Sequence, residues 1–131
     1  MKLPLTVGLL FLSITCFAQR QNVYFLRTDG TSVSTKDSAD FIRIISEPDS
    51  GNIYFKVAEY YKSRKPKLIG ESSTVEPLTF ENSMINYFPD GKKQNISNYK
   101  GGKITGSSYS YYPNGKLKSV EIYPDSLTSR P

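Results

Sequence analysis

Histidine and tryptophan are absent from this 131-residue chain, and its one cysteine, Cys16, sits in an apolar stretch near the start. Without histidine there is no Ser-His or Cys-His nucleophile pair, no imidazole general base and no His-ligated zinc, and a single cysteine closes no disulfide within the chain. Asp37, Asp40, Glu47 and Asp49 do not fall at EF-hand spacing, so no metal site is assigned. No glycine-rich loop opens a helix, which removes the usual machinery for a nucleotide cofactor. The carboxylates Glu59, Glu71, Glu81 and Glu121 lie in or beside expected strands. A retaining glycosidase would need two of them about 5 Å apart, and their spacing singles out no pair. The residues therefore point to a non-enzymatic protein with no catalytic residue and no cofactor.

Long apolar runs are also missing. The longest, Leu3 to Phe17, follows Met1-Lys2 and ends at Cys16-Phe17-Ala18 before polar Gln19-Arg20-Gln21-Asn22. About 15 apolar-rich residues fall short of the ~20 that span a bilayer. A basic residue, a short apolar core and a small residue at the end are the pattern of a secretory signal peptide over residues 1–18, cleaved near Ala18. Cys16 lacks the small preceding residue of a lipoprotein site. The expected product is exported, periplasmic or secreted, and folds without disulfides.

What is abundant is tyrosine and lysine: ten Tyr, seven Phe, and 17 Lys+Arg against 12 Asp+Glu for a net charge of +5. They recur in order. Tyr60-Tyr61-Lys62-Ser63-Arg64-Lys65, Tyr87-Phe88-Pro89-Asp90-Gly91-Lys92-Lys93 and Tyr111-Tyr112-Pro113-Asn114-Gly115-Lys116-Leu117-Lys118 place aromatic pairs 27 and then 24 residues apart. Tyr99-Lys100-Gly101-Gly102-Lys103 is a half-step between the last two. Turns at Gly91, Gly102 and Gly115, 11 and 13 residues apart, set the rhythm of short strands joined by hairpins. Pro89 and Pro113 preset φ for the first central residue of a type I turn, Asp90 and Asn114 suit the second, and the glycine accepts the left-handed conformation that follows. Arg64 occupies the glycine slot of the first copy at a cost on the order of 1 kcal/mol, so a looser or different turn is expected there.

The intervening segments, Thr79 to Phe88, Lys92 to Tyr99, Ile104 to Tyr112 and Lys116 to Tyr123, are rich in Tyr, Ile, Val, Thr and Ser and read as antiparallel strands. Asn52 to Tyr61 and Pro66 to Val75 read as another hairpin, with Glu76-Pro77 breaking the chain after it. Earlier, Val23 to Leu26 and Phe41 to Ile45 read as strands, and Ser34-Thr35-Lys36-Asp37 as the start of one or two helical turns. The expected fold is all-β, an antiparallel meander of repeated β-hairpins over residues 52–123. A short α/β lead-in over 19–51 precedes it and a tail over 124–131 follows. Because a hairpin cannot bury its own apolar face, either the segment around Phe41 to Ile45 or a partner should cover the sheet.

The lines Tyr87-Phe88-Pro89-Asp90-Gly91-Lys92, Tyr99-Lys100-Gly101-Gly102-Lys103 and Tyr111-Tyr112-Pro113-Asn114-Gly115-Lys116-Leu117-Lys118 resemble the MORN-repeat variant of bacterial YwqK-type proteins, over roughly residues 54–123. In that family a Tyr-x-x-Gly-x-x-x-Gly follows the turn, and Tyr99, Gly102 and Gly106 match it. The resemblance implies successive β-hairpins and two roles, scaffolding by MORN repeats and neutralisation of a cognate toxin by an antitoxin-like branch. Arg64 and residues 72–81 depart from the repeat.

For function, the aromatic pairs Tyr60-Tyr61, Tyr87-Phe88 and Tyr111-Tyr112 and the lysines Lys92, Lys93, Lys116 and Lys118 are the candidate binding residues. Neighbours in a strand point to opposite faces, so one aromatic of each pair packs and the other is expected to form an exposed row. Lysines flanking turns also keep strand edges soluble, which weighs against a dedicated site. The expected function is a protein-binding or scaffolding module of the cell envelope, with another protein or itself as partner. An antitoxin-like binder is the alternative, anionic envelope lipid or glycan is a further partner class, and nucleic acid is disfavoured by the export signal.

Overall fold

The computed structural model describes residues 20–125. The expected signal peptide, with Cys16 and Ala18, and residues 126–131 of the tail lie outside the described residues. The chain forms one nine-stranded sheet. Its strands are β1 (Gln21–Leu26), β2 (Ser32–Val33), β3 (Phe41–Ser46), β4 (Phe55–Tyr61), β5 (Pro66–Ser72), β6 (Phe80–Tyr87), β7 (Lys93–Lys100), β8 (Lys103–Tyr111) and β9 (Leu117–Tyr123). The order is β2-β1-β3-β4-β5-β6-β7-β8-β9, all pairs antiparallel. The all-β hairpin meander expected from the turns is therefore present.

The lead-in departs from expectation in two ways. Phe41–Ser46 does not cover the sheet but joins it as β3, paired to β1 on one side and β4 on the other. Isoleucines at 42, 44 and 45 suit a strand flanked on both edges better than a lid. The expected helical start is a single 3-10 turn, Lys36–Ser38. Thr35 stands at its N-cap but makes no capping bond to the backbone, its hydroxyl donating instead to Ser38 Oγ at 3.0 Å. No α-helix occurs among the described residues, and no helix there is long and apolar enough to cross a membrane.

Register divides the side chains between two faces. On the first, Val57, Leu68 and Met84 form the buried centre, with Leu78, Phe80 and Tyr99 packed against them. Leu78 arrives on the loop after β5, which Ser72 holds in place. Its fully buried hydroxyl donates to the Thr79 carbonyl at 3.0 Å and accepts from the Thr79 amide at 2.8 Å. Gly70 lies in this layer because a Cβ there would meet Met84 Cγ at 3.3 Å. Toward β8 the same face is lined by small polar groups, with the buried hydroxyls of Ser97 and Ser108 2.7 Å apart.

The second face carries an aliphatic row, flanked by polar residues such as Lys56, Glu71 and Ser83. Val23 pairs with Ile44, Ile44 with Ala58, Ala58 with Ile69, Ile69 with Ile85, Ile85 with Ile96, Ile96 with Tyr109 and Tyr109 with Val120. One apolar row thus crosses β1 and β3 through β9, and no second layer of described residues lies over it. Val23, Ile69, Tyr109 and Val120 in this row are among the exposed large apolar side chains.

Candidate functional site

The aromatic pairs and lysines converge at one end of the sheet because the β4–β5, β6–β7 and β8–β9 turns all project there. The turns share one geometry. Phe88 N–H donates to Lys92 O at 2.8 Å and Gly91 N–H to Phe88 O at 2.9 Å; Tyr112 N–H donates to Lys116 O and Gly115 N–H to Tyr112 O, both at 2.8 Å. In the first copy Tyr61 N–H donates to Lys65 O and Arg64 N–H to Tyr61 O, both at 2.9 Å. Arg64 takes φ +72°, beside +94° at Gly91 and +87° at Gly115. The looser turn expected at Arg64 is thus corrected: flanking strand pairing imposes the left-handed residue on an arginine. Asp90 and Asn114 each accept the amide two residues on at 2.9 Å, and each hairpin carries a register shift next to its turn. Gly102 belongs to the β7–β8 turn at the opposite end.

Successive turns at this end are about 10 Å apart, two strand spacings, and side chains link them. Tyr61 donates its hydroxyl to Tyr87 O at 2.6 Å, and Lys92 Nζ donates to Pro113 O at 3.4 Å. Burial pushes the Tyr61 phenol above its ordinary pKa. By register Tyr60 and Tyr61 stand on opposite faces, as expected for neighbours in a strand. The expected exposed row does not form, since Tyr60, Tyr61, Tyr87, Phe88 and Tyr111 are half-buried and Tyr112 alone of the six is exposed, at 47%. Links between hairpins consume the surface that spacing alone leaves open.

Phe88, Tyr111, Tyr112 and Lys118 meet in a cleft of about 570 Å³ whose other walls are Asn86, Gln94, Asn95, Ser110 and Pro113. The Lys118 ammonium stands 5.9 Å from the centre of the Tyr112 ring. Three aromatic rings, three side-chain amides and one ammonium suit an extended polar segment bearing a negative charge, because amides satisfy its backbone and rings cover its flat groups. Tyr60 and Tyr61 lie beside the first turn, away from this cleft, and Lys92, Lys93 and Lys116 flank it without lining it.

Charge is segregated along the strands. Arg27, Lys36, Lys62, Arg64, Lys65, Lys92, Lys93, Lys116 and Lys118 lie toward the end with the repeated turns, against Asp29, Asp37, Asp40 and Asp90. The other half holds Glu47, Asp49, Glu71, Glu76, Glu81, Glu121 and Asp125 against Arg20, Lys56, Lys100 and Lys103. Sequence order hides this because the two ends alternate along the chain.

The carboxylates weighed as catalytic are each engaged. Glu59 is buried between Arg43 at 3.4 Å and Lys67 at 3.6 Å. Glu71 accepts from Asn82 at 3.0 Å, Glu81 accepts the Gly101 amide at 3.0 Å, and Glu121 accepts the Tyr123 hydroxyl. That hydrogen bond is the main cause of a raised Tyr123 pKa. Among the described residues no cluster of three His, Cys, Asp or Glu could hold a metal ion.

No family model, curated protein or solved structure matches the chain.

What residue-by-residue reading missed is the aliphatic row. Its members lie one to a strand, so no single segment announces them, and only the pairing register aligns them.

Proposed function

We propose that this chain is an exported, non-enzymatic module that binds another protein in the cell envelope and presents its repeated-turn end to an acidic segment of that partner. The observation that supports this best is the stacking of the same turn on neighbouring hairpins, which gathers Lys62, Arg64, Lys65, Lys92, Lys93, Lys116 and Lys118 at one end of the sheet, with an aromatic and amide-lined cleft at the second and third turns. Complementary charge steers association and fixes register, while the cleft supplies contact area. The expectation of export rests on the residues before Gln19, and the scaffolding role agrees with the resemblance to MORN-type repeats.

The test is capture from envelope and soluble fractions of the host by residues 19–131, in parallel with a variant carrying Lys92→Glu, Lys93→Glu, Lys116→Glu and Lys118→Glu. The reading expects one envelope protein at near-stoichiometric yield, released by raised salt and lost with the variant. Retention of anionic lipid or glycan alone would make the lysines a polyanion site instead, a cytosolic toxin as partner would favour the antitoxin reading, and equal capture by both proteins would remove the basic end from function.

A further inference from the structure

The aliphatic row is a separate feature from the basic end and does not depend on the function proposed for that end. A single-layer sheet with one face closed by its own side chains and the other carrying exposed valine, isoleucine and tyrosine leaves an apolar surface of the kind that marks an interface. We infer that this face is the interface of a symmetric dimer, a second copy of the chain packing its own row against the first.

Area and charge both select this occupant. The row crosses eight strands, about 34 Å at ~4.8 Å per strand, and strands of about seven residues reach about 23 Å. The face therefore offers about 800 Å², the share each partner contributes to a standard stable interface. Face-to-face sheets pack ~10 Å apart by interdigitating such side chains. A groove of about 500 Å³ opens at Ala58, the smallest residue of the row, between Tyr60, Ile69 and Ile85, and gives the opposing row a place to enter.

Two orientations would lay one face on another about a two-fold axis in the plane between them. With the axis along the strands, basic end would lie over basic end. With the axis along the row, strand direction reverses in the second copy, and the end bearing Lys62, Lys92 and Lys116 lies over the half bearing Glu71 and Glu81, which share the face of Ile69 and Ile85. Like charges across an interface are costly and opposite charges favourable, so the charge pattern selects the axis along the row. Each row residue then faces its own counterpart, Ile85 near Ile85 of the second copy. The tips of the turns stay at the rim.

The experiment is sedimentation velocity of the chain from Gln19 onward, which holds all nine strands and no cysteine. The expected result is a species of twice the monomer mass at micromolar concentration. Ile69→Lys with Ile85→Lys, and separately Tyr109→Lys with Val120→Lys, should each weaken the dimer at least ten-fold while the far-ultraviolet spectrum stays unchanged. The second pair replaces side chains already exposed, so it tests the face without disturbing the fold. Lys62→Glu, Lys92→Glu and Lys116→Glu together should weaken it at low salt, with the difference shrinking as salt rises. Ile85→Cys should cross-link to its counterpart with a short bismaleimide. A monomer at about 100 µM, well above the micromolar range at which the weakest interfaces of this size form, would overturn the inference. So would a dimer that both lysine pairs leave intact, or one lost instead on Ser119→Pro, which would place the contact at the open edge of β9.

Discussion

Arg64 holds a backbone conformation that its side chain disfavours. Its φ of +72° matches the glycines at the same position of the later turns, and the hydrogen bonds around it are the same. The conformation is set from outside, by β4 and β5 pairing up to the turn, and the arginine carries a strain on the order of 1 kcal/mol. Arg64→Gly should accordingly raise stability by about 0.5–1 kcal/mol, the relief of strain being partly offset by the greater freedom of glycine in the unfolded chain. An increase in the urea midpoint with an unchanged slope is the expected reading. A decrease would mean that the guanidinium makes a stabilising contact worth more than the strain. Gly115→Ala, made at a glycine where nothing lies within 4 Å of an added Cβ, should lower the midpoint by a similar amount and isolates the backbone term.

At the scale of elements, turn chemistry was the most legible part of the sequence. Pro-Asp-Gly and Pro-Asn-Gly state a turn, its handedness and the strand on either side, so β6 through β9 fall within a residue of where composition puts them. β2 was not legible, because two residues carry no periodicity, and its place beside β1 follows from a loop closed by aspartates. Asp29 accepts from the hydroxyl and amide of Thr31 at 2.7 and 2.9 Å, and Asp40 accepts from the amide and hydroxyl of Thr28 at 2.7 and 2.9 Å. These bonds favour the charged carboxylates and hold both below the ordinary value of 3.8, through the Thr31 hydroxyl first for Asp29 and the Thr28 amide first for Asp40. A lowered folded pKa means that the contribution to the loop is complete above 3.8 and is lost as pH falls through the lowered value. The amide resonances of Thr28 and Thr31 should therefore move together with a midpoint below 3.8. A midpoint at or above that value would show that the two carboxylates do not hold the loop.

The molecule as a whole is a sheet whose interior is unevenly placed. The candidate aromatics and lysines could be read from their repeats, but not which would be exposed or which end and face they would share, because bulges beside each turn shift register by one residue. The buried side chains that result lie mostly on β3 to β6, from Ile45 through Val57, Leu68 and Met84, with single serines on β7 and β8 and none on β9. β9 is also paired on one side only. A strand that buries nothing and has a free edge opens without exposing apolar surface, whereas opening β4 or β5 breaks the centre of the molecule and both neighbouring ladders. Native-state hydrogen exchange of the Tyr109→Lys with Val120→Lys variant, in which the aliphatic face stays unpaired, should therefore rank amides in a gradient, slowest in β4 and β5 and fastest in β9, with the Leu117–Tyr123 amides exchanging at least about a hundred-fold faster, a difference of about 3 kcal/mol in opening free energy. Uniform protection out to β9 would mean that the edge is closed by another chain. That outcome, unlike burial of the aliphatic face, would depend on strand pairing and would vanish with a proline in β9, so the two ways this sheet can meet a second copy leave different exchange patterns.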